Sequence, residues 1–365
     1  MVEIIIKDSE AGQRLNKYLL KYLNQATSSF VYKMLRKKNI VLNDKKAQGD
    51  ELLACGDNIK LYLADDTIAK FRTGSIVNDK AVNKIAGDEK AANNFAIKKR
   101  CADKSGATGA TNGEHRFVKD LTRNLRILYE DKDIMAVHKD AGILSQKADK
   151  NDYSINEAIV DFIRVSDKYE KVDTFTPSVC NRLDRNTSGI ILAGITLKGS
   201  QFLSKALKDR TVDKYYYTVV KGVFKSRLTC QAYLAKNKDK NLSRVYSVEE
   251  YMKLSKDKNF DDKAYQMIKT EFIPISSNNN NTLLKIKLIT GKSHQIRAHL
   301  KHMGYPVAGD VKYGDKKYNN YLKDKYGLKY HLLHAGEVRL SDDVVINDPL
   351  PDIFMKICKG EDLKV

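Results

Sequence analysis

The stretch that decides the fold of this chain is Cys180-Asn-Arg-Leu-Asp-Arg-Asn-Thr-Ser-Gly189, which runs directly into the apolar segment Gly189-Ile-Ile-Leu-Ala-Gly-Ile195. Asn, Ser and Gly favour a turn, and the apolar segment has the composition of a buried strand. The stretch therefore predicts a charged loop at the mouth of a buried sheet. Arg182 and Arg185 flank Asp184. Nearby positive charge lowers the pKa of a carboxyl group, so we expect an ionised carboxylate that suits a nucleophile or an electrostatic anchor.

The same loop admits three other interpretations. Asp184-x-Asn186-x-Ser188-Gly189 begins like a calcium-binding loop, but Ile195 stands where such a loop needs a bidentate Glu, so this interpretation fails. Asn186-Thr187-Ser188 fits a glycosylation acceptor, which matters only in a secreted protein. Judged by its charges alone, the loop is equally well explained as a surface loop of solvated side chains.

The composition points to a basic protein of at least two domains. The chain has 365 residues, and 65 Lys and Arg against 46 Asp and Glu give a formal charge of +19. This excess predicts a polyanionic partner, with nucleic acid ahead of an anionic membrane. The N-terminus lacks the basic leader and apolar region of a signal peptide, and no apolar run approaches the ~20 residues of a membrane span. None of the 5 cysteines forms a Cys-x-x-Cys pair, so we expect a reducing cytoplasm.

Residues 12–63 have the pattern of a small module of two helices and short strands. One helix face collects Leu15, Tyr18, Leu19, Tyr22 and Leu23. Ser28 is the predicted cap of a second helix, which carries several basic residues. A strand and tight turn follow over 39–45, and the alternation over 58–63 predicts another strand.

This order of elements resembles the αL-type RNA-binding domain of ribosomal small-subunit protein four. The residues that carry the resemblance are Arg14-Leu15, the basic helix, Val41-Leu-Asn-Asp-Lys45 and Gly56-Asp57. That family more often has Gly where Asp44 stands. The resemblance implies an RNA-binding domain over residues 1–63, in which basic side chains meet RNA phosphates. The predicted contacts are Arg14, Lys33, Arg36 and Lys37.

The remainder of the chain divides into a linker over 64–119 and a second domain over 120–365. A short helix is predicted over 64–72, and beyond it small and polar residues dominate. In the second domain the strand patterns outnumber the helical ones, which predicts an α+β fold with a mostly antiparallel sheet. The predicted strands lie in 125–137, 189–195, 213–222, 267–275 and 283–289, with hairpins in 223–266 and helices over 155–165 and 197–208.

A third cluster, Thr290-Gly-Lys-Ser-His-Gln-Ile-Arg-Ala-His-Leu-Lys-His302, changes from strand to helix pattern with Ser293 as the predicted cap. A helix start beside Lys292, His294 and Arg297 is suited to gripping phosphate. A metal site is conceivable from the histidines of this region, but their spacings are not those of a known zinc site. Hydrogen bonding is the better interpretation for most of them. The histidines are His294, His299, His302, His331 and His334.

Residues 120–345 resemble the pseudouridine synthases of the RluA, RluC and RluD type. The central motif of that family is His-Arg-Leu-Asp-x-x-Thr-Ser-Gly, and this chain departs from it at Asn181, which replaces the His. Near the start of the domain, Lys139-x-Ala-Gly142 fits another motif, with Asp140 in place of the usual Pro. The other matching segments are Lys214-x-Tyr216, Val220-Lys-Gly222, Gly291-Lys-Ser-His-Gln-Ile-Arg297, His302 to Asp310 and Leu333-His-Ala335.

The resemblance implies that the protein isomerises uridine in RNA to its carbon-linked form without a cofactor. Asp184 would be the essential carboxylate, and three routes stay open for it: attack on the ribose anomeric carbon, attack on the uracil ring, or removal of a ribose proton. Arg297 would pair with Asp184, and Tyr216 would stack on the target base. The base must leave its stack, so Arg182 would fill the gap or hold the displaced strand. Lys214, Lys292 and His294 would contact the RNA.

Family members with an αL-type domain mostly act on large-subunit ribosomal RNA, so we expect that substrate, with transfer RNA as the other candidate. We also expect a cytoplasmic monomer without a metal or a membrane partner. The contrasting hypothesis is a non-catalytic RNA-binding or ribosome-assembly protein on a degenerate synthase fold. The intact set of Asp184, Tyr216 and Arg297 argues against it.

Overall fold

The computed structural model of the protein describes residues 1–72, 121–122, 124–149, 152–169, 174–237 and 242–365. The chain divides into two compact units. The first comprises Met1–Leu125, Glu157–Ser178 and Gly194–Gln201, and the second comprises Arg126–Asn156, Val179–Ala193 and Phe202–Val365. The predicted linker over 73–119 lies outside the described residues, so the division into 1–63, 64–119 and 120–365 stays a prediction.

Side-chain hydrogen bonds explain why the first unit includes later parts of the chain. Thr174 donates to the Glu10 carboxylate at 2.9 Å, and Gln201 donates to the backbone carbonyl of Gly12 at 2.8 Å. Both acceptors belong to the N-terminal segment. These bonds therefore join two distant segments of sequence to one N-terminal core.

The N-terminal segment forms a small sheet covered by helices. Its elements are β1 (Val2–Ile5), a 3₁₀ turn (Asp8–Glu10), α1 (Leu15–Tyr22), α2 (Ser28–Arg36), β2 (Ile40–Leu42), β3 (Lys45–Lys46), β4 (Asn58–Leu61) and α3 (Asp65–Phe71). The strands pair in the order β1-β4-β2-β3. The predicted apolar face of α1 is buried, and α3 adds Ile68 to the same core. The core thus continues past residue 63 into the first part of the predicted linker.

Two local features of this segment are decided by backbone geometry. Asn43 and Asp44 both have positive φ, at 50° and 61°, which a tight hairpin turn requires and which Asn and Asp tolerate better than most residues. This explains why Asp44 can replace a Gly. The prediction that Ser28 caps α2 is wrong, because Ser28 is already helical and Thr27 Oγ1 accepts the Phe30 N–H at 3.3 Å.

The rest of the chain contains one large sheet and further helices. Its elements are β5 (Ile127–Glu130), β6 (Ile134–Lys139), α4 (Ile155–Val165), β7 (Ser178–Val179), β8 (Ser188–Gly194), α5 (Leu197–Asp209), β9 (Asp213–Lys221), β10 (Leu228–Asn237), β11 (Leu242–Tyr246), α6 (Val248–Leu254), a 3₁₀ turn (Asp262–Ala264), β12 (Tyr265–Ser277), β13 (Asn281–Leu288), α7 (Gln295–His302), α8 (Lys316–Tyr326), β14 (Leu333–Arg339), β15 (Val345–Asn347) and α9 (Asp352–Gly360). The predicted α+β fold with a mostly antiparallel sheet is confirmed.

The sheet has 11 strands, and the segment after the charged loop lies inside it. The main strand order is β11-β10-β12-β13-β9-β14-β8-β6-β5, with β15 beside β14 and β7 beside β8. All 7 residues of β8 are buried, as the apolar run predicts. β8 runs parallel to β14, with Ser188 opposite His334 and Gly189 opposite Ala335. The loop before β8 is thereby held at the end of a central strand.

The sequence patterns did not predict three of these helices, namely α6, α8 and α9. None of the residues of α6 is buried, so this helix adds no residue to the buried core. α8 has three tyrosines, and two of them, Tyr318 and Tyr326, are buried. Within the described residues, no helix is long and apolar enough to cross a membrane.

Gly189 makes the β8–β14 pairing testable. Its φ is +119°, and an added Cβ would lie 2.3 Å from the carbonyl oxygen of Ala335. We expect Gly189→Ala to lower the free energy of unfolding by roughly 2–5 kcal/mol, because backbone strain adds to a backbone overlap. Urea unfolding followed by circular dichroism measures this loss. Gly291→Ala is the matched control, since an added Cβ there would meet no described atom within 4 Å. Equal stability of the two variants would contradict the prediction.

Candidate active site

The centre of the candidate site is an ion pair between the charged loop and α7. Arg297 Nη1 donates to Asp184 Oδ2 at 2.7 Å. The Asp184 side chain is 26% exposed and that of Arg297 only 6%, so the carboxylate can be reached from solvent while its partner cannot. The pairing expected of Asp184 and Arg297 is confirmed. The expected flanking role of the loop arginines is not seen, because Arg185 donates instead to the Gly142 carbonyl at 3.1 Å.

The backbone around Asp184 is held by side chains from outside the loop. Ser145 Oγ donates to the Leu183 carbonyl at 2.9 Å and accepts the Leu183 N–H at 3.0 Å. On the other side, the Thr187 hydroxyl bonds His331 Nε2 at 2.8 Å and the Ser188 hydroxyl bonds His334 Nδ1 at 2.9 Å. Each of the three partners from outside the loop, Ser145, His331 and His334, is buried. The carboxylate is therefore carried by a loop with little freedom to move.

Lys139, at the end of β6, is a fully buried cation beneath this loop. Its ammonium group donates to the carbonyls of Asp140, Ile143 and Arg185 at 3.0, 2.9 and 3.1 Å. Burial lowers the pKa of Lys139 to about 7, against the opposing effect of the Asp140 and Asp184 charges. Three carbonyls satisfy all three donors of an ammonium group. Lys139 thus joins the turn after β6 to the residue that follows Asp184.

Arg297 is itself held by a second carboxylate that sequence reasoning left without a role. Asp310 accepts from Arg297 Nε at 2.6 Å and from Nη2 at 2.9 Å, which is the two-pronged geometry typical of Arg. Asp310 also accepts the backbone N–H groups of Lys312 and Tyr313 at 2.9 and 3.0 Å. Burial would raise the pKa of Asp310, but its hydrogen bonds to Arg297 hold it below the ordinary value. Burial likewise opposes the charge of Arg297, and these ion pairs outweigh it and raise the Arg297 pKa.

The start of α7 differs from the prediction. The residue before the helix is His294, in a left-handed conformation with φ 56°, so the expected Ser293 cap is wrong. Gln295 organises the turn, because its side-chain oxygen accepts from Lys292 N and from the Thr290 hydroxyl, each at 3.0 Å. These bonds aim the first turn of α7, and Arg297 within it, at the loop.

Tyr216 on β9 faces the same region. It is 7% exposed and pairs in register with Ala335 of β14 and Ile286 of β13. Burial, and next the negative charge of Asp184, raise the pKa of the Tyr216 phenol well above its ordinary value. The phenol therefore stays protonated at neutral pH and lies close enough to Asp184 to feel its charge.

The remaining predicted RNA contacts of this domain are more accessible. Arg182 and Lys292 are exposed, and His294 and Lys214 are half-buried. Burial, and then the neighbouring Arg210, lower the pKa of Lys214. These four side chains thus remain available to a ligand to different degrees.

Asn181 and Asp140, which depart from the family motifs, both form hydrogen bonds in the structure. Asn181 donates to the Ile190 carbonyl at 3.2 Å and accepts the Leu192 N–H at 2.7 Å, so it pairs with the backbone of β8. Asp140 Oδ1 bonds His138 Nε2 at 3.0 Å. Neither replacement touches the Asp184–Arg297 pair, because both side chains serve the surrounding scaffold.

The histidines behave as hydrogen bonders. His294 bonds the Tyr313 hydroxyl at 3.0 Å and His299 bonds the Thr270 hydroxyl at 3.2 Å. Burial lowers the pKa of His299 and of His331 to about 4, so both are neutral near pH 7. In the part of the chain that the structure describes, no three His, Cys, Asp or Glu side chains group as a metal site would require.

Comparison with known proteins identifies the class. The family model for RNA pseudouridylate synthase matches residues 133–302, which contain Asp184, Tyr216 and Arg297. Ribosomal large subunit pseudouridine synthase C of Pasteurella multocida is 26% identical over 363 residues, covering 97% of this chain and 92% of that protein. The protein of the same name from Rickettsia bellii is 27% identical over 360 residues, covering 97% and 100%. The solved structure of human RNA Pseudouridylate Synthase Domain Containing 4 shares the fold, with a TM-score of 0.54, 20% identity, and coverage of 68% of this chain and 97% of that one.

With this loop, sheet and set of matches, the chain is identified as an RNA pseudouridine synthase. It is of the RluA/RluC type, as its motifs imply and as its near full-length relatives support.

The Arg297–Asp310 pair predicts a pH-dependent contribution to stability. The pKa of Asp310 is depressed in the folded protein, so the contribution is present above the unfolded value of about 3.9 and is lost as pH falls through the folded value. We expect Asp310→Asn to destabilise the protein by about 3–5 kcal/mol at pH 7, because a buried cation loses its partner. The difference from wild type should shrink below about pH 4, and chemical unfolding at several pH values measures it.

Asp209→Asn is the control for this experiment, since Asp209 pairs with Lys205 on the surface of α5. Its unfolding should match that of wild type at each pH. An Asp310→Asn protein as stable as this control at pH 7 would show that the buried pair contributes no net stability.

Proposed function

We propose that this protein isomerises uridine to pseudouridine in large-subunit ribosomal RNA, with Asp184 as the essential carboxylate. The observation that carries the proposal is the accessible Asp184 carboxylate bound at 2.7 Å by a buried Arg297. The substrate is supported by its relatives in Pasteurella multocida and Rickettsia bellii, both named as ribosomal large subunit synthases. The net reaction breaks the bond from ribose to uracil N1, forms one to C5, and moves a proton from C5 to N1, so no electrons or outside groups are needed.

The geometry suits Asp184 to act as a base or a nucleophile. Arg297 holds one of its oxygens and neutralises part of its charge, while the rigid loop fixes the direction in which the carboxylate points. A fixed reacting group gains rate because little freedom is lost when the substrate reaches it. Each of the three routes open to Asp184 needs a carboxylate that is held in a fixed direction.

Tyr216 is proposed to stack on the target base. A protonated phenol beside the carboxylate offers the uracil an aromatic face and an O–H donor. Arg182 is proposed to support the RNA around the displaced base, and Lys214, Lys292 and His294 to contact its backbone. Removing a base from its stack costs a few kcal/mol, which such contacts offset.

The N-terminal domain is proposed to bind RNA through phosphates. Lys33, Arg36 and Lys37 are exposed on α2 or directly after it, and Arg14 is exposed just before α1. Such contacts give affinity without sequence choice. We further propose a monomer that acts in the cytoplasm, where its ribosomal substrate would be met. The intact Asp184–Arg297–Asp310 arrangement argues against a non-catalytic binding protein.

The catalytic proposal predicts the effect of Asp184→Asn. Asn keeps the shape of Asp but has no negative charge, so turnover should fall by at least about a thousandfold while RNA affinity stays nearly unchanged. Tritium release from ribosomal RNA labelled at uracil C5 measures turnover, and filter binding measures affinity. Asp209→Asn should retain wild-type activity. Full activity in Asp184→Asn would remove Asp184 from the mechanism, and no release by wild type from any cellular RNA would refute the enzyme proposal.

The RNA-binding proposal predicts a change in salt dependence. Replacing Lys33, Arg36 and Lys37 together by Ala should make the plot of log binding constant against log salt shallower by about 2, since each lost phosphate contact removes roughly 0.7–0.9 from the slope. The control replaces three exposed lysines near the C-terminus and thus changes net charge equally. These are Lys356, Lys359 and Lys364. The same slope in both triple variants would count against contacts in the N-terminal domain.

A further inference from the structure

Tyr313 lies where the β10–β11 hairpin meets α7. It is 6% exposed and belongs to an apolar cluster with residues of both elements. The other buried members are Ala232, Leu234, Val245, Ile268 and Ala298. On its other side, the guanidinium carbon of Arg297 lies 5.2 Å from the ring centre. One side chain thus contacts both the hairpin and the Arg that holds Asp184.

The Tyr313 hydroxyl has two polar partners from different elements. Ser243 of β11 donates its backbone N–H to the hydroxyl oxygen at 2.8 Å, and His294 Nδ1 lies 3.0 Å from that oxygen. Ser243 Oγ also donates to the Ser293 carbonyl at 3.2 Å. β11 is the last strand in the main order of the sheet. The Ser243 N–H therefore lies at the edge of the sheet, where the Tyr313 hydroxyl accepts it. The hairpin is thereby tied to the turn that precedes α7.

One arrangement of hydrogens satisfies both bonds with a neutral imidazole. The phenol oxygen accepts from Ser243, its O–H donates to His294 Nδ1, and the imidazole proton then resides on Nε2. The environment favours the neutral ring, because burial lowers the pKa of His294. Four charged groups act on it as well: Asp184 and Asp310 raise the pKa, while Arg297 and Lys312 lower it.

We propose that Tyr313 is a positioning residue that connects the β10–β11 hairpin to His294 and Arg297. Through this connection the hairpin fixes the orientation of both side chains beside Asp184. Tyr313 fixes which nitrogen of His294 carries the proton, and it supports the face of the Arg297 guanidinium. A half-buried His294 then presents an N–H donor toward the substrate. The expected effect on activity rests on the proposed function, whereas the expected effect on the protonation of His294 does not.

The test is Tyr313→Phe, which keeps the ring and removes both hydrogen bonds. Loss of a donor to the neutral imidazole favours its charged form, so the pKa of His294 should rise by roughly half to one pH unit. Proton NMR titration of the full chain, carbon-labelled at its 7 histidines and assigned with His294→Gln, measures this. The kcat for tritium release should fall roughly tenfold with KM little changed, and the acid limb of its pH profile should move with His294.

Tyr318→Phe is the matched control, because the buried Tyr318 hydroxyl has no hydrogen-bond partner among the residues that the structure describes. It should leave both the titration and the activity at wild-type values. Ser243→Pro removes the backbone N–H that Tyr313 accepts from the hairpin, and it should lower kcat even if Tyr313→Phe folds poorly. A His294 titration in Tyr313→Phe equal to that in Tyr318→Phe, or wild-type kcat in Ser243→Pro, would overturn the proposal. If wild type releases no tritium, the proposed function fails while the titration still decides the role of Tyr313.

Discussion

The arrangement on which the site depends is one guanidinium shared between two carboxylates. Asp310 takes two of the Arg297 donors and Asp184 takes a third. Burying such charges costs desolvation energy that apolar packing would not cost, so stability alone does not explain the arrangement. Its geometry does: the fork of Arg297 is fixed by Asp310, which leaves one N–H directed at Asp184. A Lys at position 297 would also neutralise charge, but it lacks the planar guanidinium that lets Asp310 orient the N–H donated to Asp184.

The loop that carries Asp184 is also held in one orientation. Lys139, Ser145, His331 and His334 bond the loop at residues on either side of the carboxylate. Their partners are backbone groups and hydroxyls, so the loop is fixed through positions that need not contact the substrate. The anchor residues lie on or just after β6, before β14 and on β14, whose neighbour β8 begins where the loop ends. The sheet, by bringing these strands together, is what makes the loop rigid.

The departures from the family motifs show which features of a position are needed. Asn181 replaces a His, yet its amide bonds the backbone of β8 through both its oxygen and its nitrogen. Asp140 replaces a Pro, yet the feature of this position that Lys139 uses is a backbone carbonyl, which either residue supplies. In the N-terminal segment, Asp44 meets the positive φ of its turn where Gly is more usual. Each position thus requires a backbone contact or conformation rather than one side chain.

The sequence alone was sufficient for the buried strand after the charged loop, for the helix face of α1 and, through the family resemblance, for the pairing of Asp184 with Arg297. These depend on local periodicity and on ordered motifs, which are present in the linear chain. It was insufficient for Asp310, Lys139 and Tyr313, because their roles arise from partners 13, 46 and 70 positions away. The matching segment from His302 ends at Asp310, but the linear chain gives that carboxylate no role until α7 places Arg297 beside it. The arginines nearest to Asp184 in sequence are those of its own loop, but the residue that pairs with it in the structure is Arg297, 113 positions away. Arg297 is buried and held by Asp310, so its guanidinium has a fixed orientation toward Asp184.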